Sequence, residues 1–163
     1  MISEKMASAL NLQIANELNT AHSYLAMALA FEEKGLKVFG GRFHAQASEE
    51  REHAMKIVKY LQDVGASVVL TEVAKPRSDY GSAQAMVEAA LDSERTVTRQ
   101  INDLVVLAES EKDHATFSFL QWFVDEQVEE VATMTELLQL VKLAGEANLF
   151  FVEGRLARMM QSG

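Results

Sequence analysis

Apolar and polar positions along this chain recur with a helical period. The first apolar stripe reads Met6, Leu10, Ile14, Ala21, Tyr24/Leu25, Ala28 and Phe31, a three- and four-residue spacing that turns one helix face toward a core. Ser3 stands where an N-cap is needed and Gly35 where a left-handed stop is needed, so a helix is expected over 3–34. The stripe resumes at Phe43, Gln46, Glu50, His53, Ile57, Tyr60 and Val64 and closes at Gly65, which gives a second helix over 36–64. Gly40 and Gly41 weaken its first turns and permit a close helix contact or a bend. A third helix, over 82–109 behind Ser82, carries Val87, Leu91, Val97/Thr98, Ile101, Val105 and Ala108. A fourth, over 113–144 behind Asp113, carries Phe117, Leu120, Phe123/Val124, Val131, Met134, Leu138 and Val141. After Gly145 a short segment, 147–160, reads as a fifth helix too apolar to stand alone, so it is expected to pack against other subunits.

Between Gly65 and Gly81 the period breaks for 17 residues. A connection of that length inside a small domain needs a reason. A bundle helix of about 28 residues is about 40 Å long, and an extended stretch of this size reaches about 50 Å. The stretch therefore spans a bundle end to end, with Val68-Val69-Leu70 lying on the protein or on a neighbouring chain. The charged turn 109–113 is short and makes helices three and four antiparallel neighbours. The chain is thus read as one all-α domain, 1–163: a four-helix bundle with a long crossover between helices two and three and a short fifth helix.

Composition narrows the function. Net charge is −9, from 15 Lys+Arg against 24 Asp+Glu, which disfavours nucleic acid as a partner and favours metal cations. The absence of cysteine excludes disulfides and thiolate metal sites and suits a reducing cytoplasm. The opening Met1-Ile2-Ser3-Glu4-Lys5 has no basic lead followed by an apolar core, so no signal peptide is expected. The most apolar run, Tyr24 to Phe31, is far short of the roughly 20 residues of a membrane span. A cytoplasmic protein without membrane contact is expected.

The chemistry lies in polar residues that share the apolar stripes: Glu17, Glu50 with His53, Glu94, and Gln127 with Glu130. A lone glutamate at a stripe edge is most often solvated. Here, however, Glu17 to Glu50 is 33 residues and Glu94 to Gln127 is also 33. Glu17→Glu94, Glu49→Glu126, Glu50→Gln127 and His53→Glu130 are each offset by 77, so two helix pairs share one plan. Inward acids are costly unless paired or bound to a cation. Within Ala47-Ser48-Glu49-Glu50-Arg51-Glu52-His53-Ala54, Glu50 and His53 are three apart and grip one ion from one helix face. Carboxylates with one imidazole suit iron or another first-row divalent ion. Four such acids and one histidine hold two ions, with Glu50 as bridge. The second Glu-x-x-His appears as Gln127-Val128-Glu129-Glu130, so the second position lacks an imidazole and should be weaker.

The chain resembles the non-haem ferritins of bacteria and archaea over nearly its whole length, from Ser3-Glu4-Lys5-Met6 through Ala115-Thr116-Phe117-Ser118-Phe119-Leu120-Gln121-Trp122-Phe123-Val124-Asp125-Glu126-Gln127-Val128-Glu129-Glu130. The resemblance implies a ferritin-like bundle in which Glu17, Glu50 and His53 form the first iron position and Glu94 and Glu130, with bridging Glu50, the second. Gln127 then hydrogen-bonds in the centre, and Glu49, Glu126, Glu129 and Glu130 match a third iron position. It also implies a 24-subunit shell that oxidises iron(II) with oxygen or peroxide and stores ferric mineral. In such a shell the fifth helix lines fourfold axes and the crossover pairs across a twofold interface. The haem-binding relatives carry a methionine after the bridging glutamate, where this chain has Arg51, so no haem is expected. Tyr24 lies two turns beyond Glu17 and by resemblance hydrogen-bonds near the centre and supplies an electron; a core tyrosine with a satisfied hydroxyl is the competing reading. Trp122, beside its stripe, is read as packing, and His22, His44 and His114 as surface residues. The alternatives are a di-iron oxidase or peroxidase of low oligomeric state that stores nothing, and a shell that buffers divalent metal without catalysis.

Overall fold

Ser3 ends an extended lead-in with φ −70° and ψ 156°, and its side chain accepts from the Met6 amide. That cap starts α1, Glu4–Glu33. The computed structural model describes residues 2–162, with side chains as far as residue 158. Gly35 takes φ +80°, a conformation open to glycine without strain, and turns the chain into α2, Lys37–Asp63. Gly40 lets the two helices close: a Cβ there would sit 2.5 Å from Glu32 Cγ and 3.3 Å from the Ala28 carbonyl. α3, Ala83–Glu111, is capped by Ser82, and α4, His114–Ala144, by Asp113. Lys112 at φ 56° makes the tight turn between them, and α3 runs two residues beyond the predicted 109. The segment after Gly145 opens as a 3-10 turn, Glu146–Asn148, before α5, Leu149–Ser162. Among the described residues there is no strand, and no helix is long and apolar enough to cross a membrane.

α1 packs along α2 and α3 along α4, while α1 and α3 meet along a looser seam. The crossover runs the length of α1. Asn11 donates to the Ser67 carbonyl at 2.9 Å and accepts from the Val69 amide at 2.7 Å; Asn19 accepts from the Ala74 amide at 2.7 Å; and Lys34 donates to the Gly81 carbonyl at 3.2 Å. These contacts satisfy backbone groups that no sheet or helix pairs.

Buried residues follow the predicted stripes with a slip at their ends. Leu61 is buried where Tyr60 and Val64 were expected, Leu104 replaces Val105, and Leu25 is exposed. A straight helix drifts about 20° per heptad against a fixed seven-residue repeat, which accounts for such one-place slips.

α2 has no side-chain cap of its own at Leu36. Glu153 of α5 supplies one, accepting from the Val38 amide at 2.7 Å and the Phe39 amide at 3.3 Å. Glu146 does the same for α3, accepting from the amides of Ala83 and Gln84 at 3.3 and 3.0 Å. Two carboxylates before and within α5 thus meet the positive ends of two helices, and Leu149, Val152 and Leu156 join the core beneath. Glu153→Ala should therefore cost about 0.5–2 kcal/mol in denaturant unfolding, the range of N-cap losses. Glu153→Gln, which keeps an acceptor oxygen, should recover part of it, and an unchanged midpoint in the alanine variant would contradict the capping role.

Candidate metal centre

Each long helix passes from one apolar cluster to another, and polar side chains fill the level between them. One cluster is built on Phe31, Phe39, Phe43, Met86 and Met134, the other on Leu10, Ile14, Ile57, Ile101 and Phe123. Between them Glu17, Glu50 and Glu94 are 0% exposed, His53 is 4% and Glu130 is 5%.

Three groupings of potential ligand atoms form there, each with all its atoms within 4.8 Å of one another. They are Glu17, Glu50 and His53; Glu50, Glu94 and Glu130; and His53, Glu126 and Glu130. Glu50 is common to the first two. Its Oε2 lies 3.4 Å from His53 Nδ1 yet makes no hydrogen bond. Glu17 Oε2 and Glu94 Oε2 are likewise buried without a partner. Buried carboxylate oxygens are nearly always satisfied, so three orphans at one level mark a place where a cation fits. Hard oxygens with a single imidazole match divalent iron better than a sulfur-seeking ion.

The remaining oxygens are held by neutral donors. Gln13 donates to Glu17 Oε1 at 2.8 Å, Gln46 to Glu130 Oε2 at 2.5 Å and to Glu50 Oε1 at 3.4 Å, and the Tyr24 hydroxyl to Glu94 Oε1. Thr98 bridges two helices, donating to Gln127 Oε1 at 3.0 Å. Gln127, a candidate on sequence grounds, is thus a hydrogen-bonding neighbour, held by Thr98 and acting on Glu94.

Electrostatics follow from burial. It raises the Glu17 pKa to about 8, with the Glu50 charge adding to the effect, and pushes Glu50 well above the carboxylate range, with Glu94 adding there. Glu94 and Glu130 rise to about 7, again first through burial; hydrogen bonds from Tyr24 and Gln127 restrain Glu94. Tyr24 is driven up by burial and then by the Glu94 charge. Without a cation the level therefore holds protons instead of charge.

The third-position candidates are less gathered. Glu126 joins His53 and Glu130, Glu49 is half-buried and its charge helps raise Glu130, and Glu129 is exposed and joins no grouping among the described residues. Trp122 packs against the centre: it meets the His53 ring edge-on at 5.3 Å between centroids, with Lys56 Nζ 3.9 Å over the indole. Sequence reasoning gave Gln13 and Gln46 no role. An amide one turn before Glu17 and another one turn before Glu50 were the available signal.

The ferritin-like domain model of the Ferritin family matches residues 7–144. Ferritin BfrB of Mycolicibacterium smegmatis is 41% identical over 150 residues, 92% of this chain and 82% of that protein. A bacterial non-heme ferritin of Staphylococcus aureus is 37% identical over 153 residues, 93% and 92% of the two chains. Among solved structures, a ferritin of the archaeon Archaeoglobus fulgidus superposes with a TM-score of 0.93 at 42% identity, covering 96% of this chain and 98% of that one.

The raised pKa values fix a pH dependence. Between about 4.5 and 8 the folded, metal-free chain keeps a proton on Glu17 that the unfolded chain has released, so this group's contribution to stability falls as pH rises through that window. Glu17→Gln should flatten the decline in melting temperature of the metal-free protein between pH 5 and pH 8, in the range of about 2–4 °C per kcal/mol removed. Zinc(II) should stabilise the parent more at pH 8 than at pH 5. A parent whose stability rises across the window as steeply as the variant's would contradict the reading.

Proposed function

This chain belongs to the ferritin family, and on that premise we propose that it stores iron, oxidising iron(II) at the level of buried carboxylates on the way in. The observation that carries this reading is the presence of Glu50 in two adjacent ligand groupings. One carboxylate facing both is what a bridge between two ions requires, and two ions at bridging distance each give up one electron to a shared oxidant.

In this reading Glu17 and His53 complete the first iron position and Glu94 and Glu130 the second. The second has no imidazole, so it holds its ion less tightly. Gln46 and Tyr24 orient the carboxylates of that half, and Gln127 supports Glu94 without serving as a ligand. Oxidised iron leaves through the half-buried Glu126 and Glu49 and the exposed Glu129. Tyr24, held on Glu94, is placed to supply an electron when the oxidant takes more than two irons provide.

Storage needs a container. The Archaeoglobus fulgidus relative is an open-pore ferritin, and for this chain we propose a hollow 24-subunit assembly. Supporting this, large apolar side chains stand in solvent on the isolated chain: Leu70 of the crossover is 69% exposed, and Phe150 and Phe151 of α5 are 78% and 79%. Such side chains mark contact surfaces. They lie on the two segments assigned to the twofold and fourfold interfaces. The assembly is assigned to the cytoplasm, with oxygen or peroxide as acceptor and no haem.

The test is to mix metal-free protein with iron(II) in air. The parent should oxidise iron rapidly, and Glu50→Ala and His53→Ala should slow this about tenfold or more, as loss of a metal ligand does. Equal rates in parent and variants would sink the site assignment. On size-exclusion chromatography the particle should run near 24 times 18.1 kDa; a dimer would instead favour an oxidase that stores nothing.

A further inference from the structure

The level of carboxylates has two sides of different chemistry. Toward α2 and α4 it opens onto acids: Glu126 stands within 4.8 Å of Glu130 and His53, Glu49 acts on Glu130, and Glu129 is exposed beyond them. Toward α1 and α3 it is backed by a groove of about 220 Å³ walled by Asn16, Ser93, Thr96 and Gln100, with Thr20 and Val97 beneath. Thr20 and Val97 sit one turn from Glu17 and Glu94 on the same helices. Among the described residues, none lining this groove is charged. Beside it Arg99 donates to Thr96 Oγ1 at 2.8 Å, while Arg95 and Asp92 are paired with one another at 3.5 Å.

The groove is wired to the centre. Gln13, 2% exposed, donates both to Glu17 Oε1 at 2.8 Å and to Gln100 Oε1 at 3.4 Å, and accepts from Asn16 Nδ2 at 3.2 Å. Two groove residues thereby fix the amide that holds Glu17, whose other oxygen, Oε2, is buried and unpartnered.

We propose that this groove is a side entrance for a small, neutral, hydrogen-bonding oxidant of the hydrogen peroxide type, separate from the acidic face by which cations come and go. A wall of hydroxyls and amides can replace the hydration of peroxide or water, whereas a divalent cation finds no carboxylate there and meets an arginine at the rim. Dioxygen, apolar and without hydrogen bonds to make, gains nothing from such a wall. The inference rests on the iron-oxidising reading above. The step is balanced as one hydrogen peroxide taking one electron from each of two iron(II) ions as its O–O bond breaks, giving two iron(III) and two hydroxide ions.

Ser93→Phe fills the groove from α3, and Thr96→Trp covers it from the exposed rim. Rates are measured with excess iron(II) under limiting hydrogen peroxide without air, and separately with dioxygen; cobalt(II) binding is followed by its absorption. Both variants should oxidise iron with peroxide several-fold more slowly, with dioxygen at nearly the parent rate, and should bind cobalt(II) as fast as the parent. Slowed cobalt(II) binding would make the groove a cation route and overturn the proposal, as would equal losses with both oxidants or no loss with either. A parent that binds cobalt(II) but oxidises iron with neither oxidant would refute the iron-oxidising reading itself. Unchanged cobalt(II) binding in a variant also reports that its bundle has folded.

Discussion

Four glutamates are buried at one level of this bundle, and among the described residues no lysine or arginine is buried with them. Ionised carboxylates so placed would each cost several kcal/mol in desolvation and repel one another besides. Two solutions exist: protons, which the raised pKa values of Glu17, Glu94 and Glu130 describe, or cations between them. The rest of the molecule makes the second available without giving up the first. Apolar clusters above and below carry the folding, so the polar level need not contribute to it. Neutral amides and a phenol occupy one oxygen of each carboxylate while leaving another bare on Glu17, Glu50 and Glu94.

The two halves of the chain repeat one plan with unequal chemistry. Glu17 and Glu94 correspond, but His53 corresponds to Glu130 and Glu50 to Gln127. One half therefore brings a bridge and an imidazole, the other an amide and a second acid. On the proposed reading, that inequality separates tight holding from release within one small volume. It also orients the centre, with acids on the α2 and α4 side and amides and hydroxyls on the α1 and α3 side. The exposed apolar side chains of the crossover and of α5 are what the proposed assembly would cover, and the capping of α2 and α3 by Glu153 and Glu146 ties α5 to the bundle within one chain.

Much of this was legible in the sequence because the decisive signals are periodic. Ser3, Ser82 and Asp113 announce helices through local hydrogen bonds, and the 77-residue offset of the inward acids points to a shared site without any distance being known. Signals that depend on distant partners were not legible. Glu153 caps a helix 115 residues away in sequence, and nothing around it announces this. Leu104 and Leu61 displaced their neighbours from the core because the helices drift against an ideal heptad. Gln13 lay off the expected stripe and shows its role only once Gln100, 87 residues away, stands beside it. The crossover's reach was readable from length, but its hold on Asn11 and Asn19 was not.

Protons exchanged for cations are the centre of this account, and one titration follows that exchange directly. Zinc(II), which cannot be oxidised, is added to the metal-free protein near pH 6.5 in buffers of different ionisation enthalpy, so that calorimetry counts both ions bound and protons released. The account predicts two ions per chain and more than one proton released per chain, with fewer protons released at higher pH. Binding of a single ion, or of two with no net release of protons, would contradict it.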